Sequence, residues 1–179
     1  MPPPQKYPMT PEPLQILRAS YSNAVHAQAI VQLLDAYAQD PAGGGQPLSD
    51  FAKQNLVPEL AKRPQAFSVL AFDVTAKGNA AVGLVNCIEG FSTFACKPLV
   101  NVHDVVVLGR HRGQRVGEQM LAMAEQIAIA RGACKLTLEV LSGNHSAIKL
   151  YERIGFAGYQ LDPAKFGQWG SALFLQKWL

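Results

Sequence analysis

Residues 105–117 read VVVLGRHRGQRVG, and the reading of this stretch decides the fold. Val105, Val106 and Val107 are β-branched and favour a strand. Gly109, Gly113 and Gly117 punctuate the arginine-rich turn that follows. From Gly117 to Arg131, the residues Met120, Leu121, Ala124, Ile127 and Ala128 fall on one helical stripe. A strand therefore runs through a glycine-bearing turn into a helix whose first N–H groups have no intrahelical partner. That order of elements builds an anion site. Phosphate is the expected guest, with Arg112 and Arg115 beside it.

Working downstream, Gly132 is placed to end the helix as a left-handed cap. Cys134–Leu141 alternates, with Leu136, Leu138 and Val140 on one face and Lys135, Thr137 and Glu139 on the other. With Leu99–Leu108 as the incoming strand, residues 99–141 read as a β-α-β unit with parallel strands. The β-branched content of Leu99–Leu108 predicts burial on both faces. Ser142-Gly143-Asn144 is a turn, and Ser146–Ile154 a helix capped by Gly155. Phe156–Leu161 and Ser171–Trp178 read as two antiparallel strands joined by a loop over 162–170.

Working upstream, Leu14–Ala19 reads as a short strand and Tyr21–Ala38 as a helix with Val25, Ala29, Ile30, Leu33, Leu34 and Tyr37 on its apolar stripe. Asp40-Pro41 and the run Gly43-Gly44-Gly45 end it. Leu48–Lys62 reads as a second helical region, capped by Ser49 or Asp50, which Pro58 should break or kink. Phe67–Val74 and Ala80–Glu89 form a hairpin around Lys77-Gly78-Asn79. Phe91–Lys97 fits either an extension of that hairpin or a loop over a pocket. Residues 1–13 read as a disordered proline-rich tail, and 14–179 as a single domain.

The chain has 179 residues, 49% hydrophobic and 16% charged, enough for a packed core. Its net charge of +3 is local to the Arg110–Arg115 turn, with no dense basic run, so nucleic acid is not an expected partner. No apolar run reaches the roughly 18 residues that suggest a membrane span. Cys87, Cys96 and Cys134 are widely spaced and form no CxxC pair. Neither a disulfide framework nor a metal site is expected, and a cytoplasmic location is. No GxxxxGK[ST] occurs, and the glycine spacing does not fit GxGxxG, so neither common nucleotide loop explains the turn.

Arg112-Gly113-Gln114-Arg115-Val116-Gly117 resembles the pyrophosphate loop of the GNAT superfamily of acyl-CoA-dependent N-acetyltransferases, whose pattern is Gln/Arg-x-x-Gly-x-Gly/Ala. A second block fits as well: Leu138-Glu139-Val140, then Asn144, Ala147, Leu150-Tyr151-Glu152 and Gly155-Phe156. The resemblance is sharp over 102–156. It implies a three-layer αβα fold. The central mixed sheet is mostly antiparallel, with a parallel pair of strands splayed around the CoA site. Arg115 stands where the family has its first motif glycine. It either crowds the pyrophosphate or points outward and supplies charge. The second is favoured, because family contacts there come mainly from backbone N–H groups.

The resemblance implies acetyl-CoA as cofactor. Its diphosphate would rest on the amides of Arg112, Gly113, Gln114, Arg115, Val116, Gly117 and Glu118. Its pantetheine arm would pair with the backbone of Val105, Val106 and Val107, and Asn144 would contact it. Tyr151 matches the family tyrosine that protonates the departing thiolate. Glu139 resembles a base glutamate of the branch acting on protein N-termini, and His103 and Asp104 compete for that role. Strand alternation would point these last two to opposite faces. Each residue also has a plain structural reading: Tyr151 as a core tyrosine, Asn144 as an N-cap, the valines as core strand.

The implied activity is transfer of an acetyl group to a primary amine of a small molecule or a peptide, by direct attack in a ternary complex. A non-catalytic acyl-CoA sensor and a nucleotide-binding module are the alternatives. The loop at Phe91–Pro98 and the helices within Tyr21–Lys62 would wall the acceptor pocket. Phe51, Phe91 and Phe94 hint at an aromatic lining there, with Glu89 nearly alone as an acid. The family also admits pairing into a homodimer through the C-terminal strands.

Overall fold

The computed structural model describes residues 14–40, 43–75, 78–158 and 172–178. The expected tail over 1–13, Lys77 of the first hairpin turn, and the loop over 162–170 lie outside the described residues. Seven strands form one sheet in the order β1-β2-β3-β4-β5-β7-β6. They are β1 (Leu14–Arg18), β2 (Ala66–Asp73), β3 (Ala80–Ser92), β4 (Lys97–Val107), β5 (Lys135–Leu141), β6 (Ala157–Gly158) and β7 (Ala172–Trp178). All neighbours are antiparallel except β4 and β5, the parallel pair of the β-α-β unit.

Helices α1 (Ala24–Gln39) and α2 (Asp50–Ala61) contribute to the core on one face of the sheet. Helices α3 (Val116–Ala130) and α4 (His145–Arg153) cover the other. The α3 stripe behaves as read, with Met120, Leu121, Ala124 and Ala128 buried against Val69, Val85, Val100 and Leu136. On the α1 face, Ala29, Ile30 and Leu33 pack on Leu70, Phe72, Leu84 and Val106. Val25 was assigned to that stripe but is exposed. Asn23 explains why α1 starts late: its side chain accepts from the amides of Val25 and His26, fixing the first turn.

One open reading is decided and two local expectations are revised. The segment over 91–97 extends the hairpin: β3 runs to Ser92, a turn follows, and β4 begins at Lys97. Ser49 caps α2, as read, but Pro58 does not break the helix, which continues to Ala61. Its ring is exposed, so its missing N–H leaves a solvent-facing carbonyl that water can satisfy. Burial of β4 on both faces is not found. Val100, Val102 and Val106 are buried, whereas Val105 and Val107 are only half-buried and His103 is exposed.

The pairing register explains β4. Cys87 opposes Val102 and Asn86 opposes Asp104, so His103 is the extra residue of a β-bulge. The bulge resets the alternation. Val100 and Val102 face the α3 layer, and beyond the bulge Val105 and Val107 do so, while Val106 joins the α1 layer. The bulge interrupts the unbroken pleat on which the opposite-face reading of His103 and Asp104 rested, and of the two only His103 lines the cleft described below. Asp104 shares the α1 face with Asn86 and Val106.

Replacing Pro58 with alanine restores an N–H to the interior of α2. Pro58→Ala should stabilise the fold by about 1–3 kcal/mol, less the unfolded-state entropy that proline removes. A raised thermal midpoint by circular dichroism checks this; an unchanged or lowered one would show that the helix gains nothing from the added donor.

Candidate active site

β4 and β5 pair over Val100–Val102 and Leu136–Leu138. Beyond these residues the strands part, and a cleft of about 970 Å³ opens between them. Leu108 donates its N–H to Val82 of β3 at 3.0 Å. By alternation, the main-chain groups of Val107 and Val105 then face the gap left by β5. This edge faces the cavity and pairs with no other strand; its Val107 carbonyl accepts from Arg112 Nε.

The turn after β4 delivers α3 into the same cleft. A single 3₁₀ turn, Gly109–His111, is followed by Gly113 at φ +79°. Arg115 then takes the N-cap position of α3 in the left-handed region, at φ +60° and ψ +19°. No side chain caps α3. Its first intrahelical bond is Gln119 N–H to the Arg115 carbonyl at 3.1 Å, so the amides of Val116, Gly117 and Glu118 are the unsatisfied donors of the first turn. Gly117 is buried, and a Cβ there would lie 3.1 Å from Leu150 Cδ2, so glycine lets α3 sit close to α4.

Most of the predicted residues meet in this cleft. Val105, Val106, Val107, Gly113, Arg115, Val116, Gly117 and Glu118 line it, as do His103, Glu139, Asn144 and Tyr151. Arg112 lines it too, but its guanidinium is engaged elsewhere. Nε donates to the Val107 carbonyl at 3.0 Å and Nη2 contacts Asp40 Oδ2 at 3.1 Å. Glu118 pairs with Arg153 across α3 and α4 at 3.3 Å. Asn144 caps α4, accepting from the Ala147 amide at 3.2 Å, so its structural reading is realised at the cleft wall.

Two predicted residues do not line the cleft. Gln114 turns back and donates to the Arg110 carbonyl at 3.1 Å. Asp104 sits behind the cleft, where its Oδ2 accepts from Asn86 Nδ2 at 2.9 Å. That contact continues a polar chain: Ser68 Oγ donates to Asn86 Oδ1 at 2.6 Å and meets the Tyr21 hydroxyl at 3.0 Å. Glu139 is exposed and held by Asn101 Nδ2 at 3.3 and 3.4 Å.

Tyr151 on α4 is 6% exposed and packs on Phe156, with ring centroids 5.8 Å apart. Its hydroxyl has no hydrogen-bond partner among the described residues and opens on the cleft. Burial pushes this phenol up to about 12, and neighbouring Tyr37 adds to the push. Burial also raises the Tyr37 phenol, followed by the negative charges of Asp104 and Asp40.

Tyr37, Asp40 and His111 line the cleft but escaped the sequence reading. Tyr37 lies on the apolar stripe of α1 and reads as core, Asp40 reads as a helix stop, and only the hydroxyl of Tyr37 hinted otherwise. Conversely, Phe51, Phe91 and Phe94 do not wall the pocket. They are 77%, 61% and 102% exposed and absent from its lining. Extending the β3–β4 hairpin carried Phe91 and Phe94 outward. Glu89 is not an acceptor-site acid either, since it pairs with Arg131 at 3.0 Å.

The three-layer fold and the split strand pair leave an open cleft with an uncapped helix N-terminus at one end. The profile of the Acetyltransferase (GNAT) family matches residues 29–156, and the chain belongs to that family. It is 34% identical to streptothricin acetyltransferase of Streptomyces lavendulae over 97 residues, 52% of this chain and 51% of that protein. It is 30% identical to thialysine N-epsilon-acetyltransferase of Mus musculus over 56 residues, 31% of this chain and 33% of that protein. The chain thus spans about half the length, or less, of these curated relatives. Among solved structures, nourseothricin acetyltransferase aligns at 30% identity and a TM-score of 0.50, covering 64% of this chain and 65% of that one. The NatC complex bound to Gag peptide and CoA shares the fold, with a TM-score of 0.71 at 17% identity over 94% of this chain and 99% of that one.

A non-glycine residue in the left-handed region costs roughly 1–2 kcal/mol. Arg115→Gly should therefore stabilise the protein by about 1 kcal/mol, after the unfolded-state entropy of glycine is subtracted. Urea denaturation checks it, and a destabilised variant would show that the Arg115 side chain supports the turn through contacts that outweigh its backbone strain.

Proposed function

We propose that the protein transfers an acetyl group from acetyl-CoA to a primary amine, by direct attack within a ternary complex. One observation carries the reading. The unpartnered Tyr151 hydroxyl and the uncapped N-terminus of α3 open on the same cleft. A diphosphate needs the second, and a departing sulfur needs a proton from the first.

The residues present fit acetyl-CoA. The first-turn amides of α3 and the left-handed Gly113 would hold its diphosphate, with Arg115 contributing charge. The main-chain groups of Val105 and the N–H of Val107 would pair with its extended arm, the Val107 carbonyl being taken by Arg112. Arg112, tied to Asp40 and Val107, acts as a brace that fixes the turn against β4. When bound, acetyl-CoA supplies a thioester-activated acyl group.

The remaining chemistry belongs to side chains of the chain itself. A phenol keeps its proton at neutral pH, and burial extends that range upward for Tyr151, so it is available as a donor. Glu139 and His103, both exposed at the cleft, are the groups able to take a proton from an incoming ammonium. Asp104 is withdrawn to Asn86, which leaves it a poor base. The lining holds no cysteine, and the Cys87 thiol is buried and raised in pKa, so no thiol nucleophile stands ready to carry the acyl group. The free cysteines suit a reducing compartment, in keeping with a cytoplasmic location.

Tyr151→Phe should lower kcat by about 100-fold or more, while the Kd for CoA changes by less than about threefold. Thiol release and calorimetry read the two quantities, and equal losses in both would refute the donor role. The pH profile supplies a separate check. A phenol raised to about 12 remains protonated, so kcat should show no fall between pH 7 and 10 from loss of this donor. A descending limb near pH 9 that disappears in Tyr151→Phe would overturn the assignment. Tight CoA binding without thiol release on any amine would favour the sensor.

A further inference from the structure

The cleft opens beyond Val102 and Leu138, at the C-terminal ends of β4 and β5. The opposite end of the same strands carries aromatic side chains that the reaction does not use. There the β3–β4 hairpin outruns its neighbours. Its last outside main-chain contacts are Glu89 N–H to the Gln65 carbonyl at 2.9 Å and Cys134 N–H to the Pro98 carbonyl at 2.8 Å. Beyond them Phe91, the turn over 93–96 and Lys97 project from the sheet. Phe94 is fully exposed and Phe91 more than half so. Trp178, equally exposed, ends β7 opposite Lys135. β7 lies three strand spacings from β3, about 14 Å.

Cations gather at the same end. Lys97 follows the turn and is exposed, Lys62 and Arg63 stand between α2 and β2, Arg131 closes α3, and Lys135 opens β5. Arg131 binds these segments together. Its Nη1 meets the Pro64 and Gln65 carbonyls at 3.3 and 3.4 Å and Glu89 Oε2 at 3.0 Å. Lys135 Nζ lies 5.0 Å from the centroid of the Trp178 ring. The carboxylates paired with this set among the described residues are Glu59, shared by Lys62 and Arg63, and Glu89. Cations outnumber them, so exposed aromatic rings here sit within an excess of positive charge. Clustered apolar side chains left in water mark an interaction surface, and the charge around them selects its partner.

A second copy of this chain fits the surface poorly. A two-fold contact would bring the same cations against one another, and Phe94 stands on a narrow hairpin tip rather than a flat face. An occupant that is both apolar and anionic answers both features. Phe91 and Phe94 have no polar atoms to satisfy, and Trp178 has a single indole N–H, a set that suits the boundary between acyl chains and headgroups. We infer that this end of the protein seats on an anionic lipid surface, with Phe91 and Phe94 inserted at that boundary and Lys97 and its neighbouring cations on the lipid phosphates. The contact is peripheral, since no helix among the described residues is long and apolar enough to cross a membrane. The cleft, at the far ends of β4 and β5, stays open to the aqueous side. The inference goes beyond the transferase reading and does not depend on it.

Cosedimentation of the full chain with lipid vesicles tests this. Phosphatidylcholine vesicles containing about 30% phosphatidylglycerol should bind about tenfold or more tightly than phosphatidylcholine alone. The difference should vanish at about 1 M NaCl, where the screening length is only about 3 Å. Phe94→Ser should weaken binding to the anionic vesicles by about tenfold or more, and Lys97→Gln by about three- to fivefold. Phe94 is fully exposed and neither residue lines the cleft, so both variants should fold and should release thiol from acetyl-CoA within about twofold of the parent. A Trp169→Phe variant leaves Trp178 as the one tryptophan, and its emission should shift to the blue with anionic vesicles and not with neutral ones. Absence of cosedimentation, equal binding to both vesicle types, or binding untouched in both variants overturns the inference. A dimer in sedimentation velocity that Phe94→Ser dissociates would assign the surface to a second copy and overturn it too.

Discussion

The parallel ladder between β4 and β5 stops after Val102 and Leu138, and the rest of the site follows from that stop. A sheet interrupted in its middle leaves a strand edge that would otherwise seek another strand. Here the edge is enclosed, with α3 and α4 beneath it and α1 above. The His103 bulge supplies the bend and resets which side chains face each layer. The short turn after Val107 gives α3 no room to begin anywhere except in the gap, and its first amides become part of the cleft lining.

Electrostatics then divides the cavity. One end has a helix N-terminus and arginines, two of which are committed to ion pairs that fasten the turn and α4. The other has phenols, a histidine and the Glu139 carboxylate, held by the neutral amide of Asn101. Arg115 stands out, because a cation is placed where the backbone geometry favours glycine. The left-handed backbone sets a charged side chain next to the helix N-terminus, whose own partial charge is also positive.

Much of the architecture was legible because it rests on periodicity. The α3 stripe, the β5 alternation and the turn between 108 and 116 are local patterns, and packing agreed with them. The parts that were not legible depend on relations between segments. No pattern within residues 97–107 signals that one residue will have no counterpart on β3, so the sequence left open which of His103 and Asp104 reaches the cleft. Tyr37 satisfies a helical stripe whether it meets core or cavity. Phe91 and Phe94 read as pocket walls until the hairpin extended and carried them into solvent. Pro58 shows the limit of a local rule: an exposed carbonyl tolerates the loss of its donor.

The sequence by itself determined the β-turn-α unit, the glycine-bearing turn that leads into α3, and the presence of a tyrosine and a glutamate at spacings that resemble those of the family. These follow from backbone preferences and side-chain period, which act over a few residues. Only the tertiary structure decided which groups share the cleft and which arginines are tied down. Those properties depend on the approach of strands, helices and turns distant in sequence, and burial and Coulomb interactions are set by distance in space rather than along the chain.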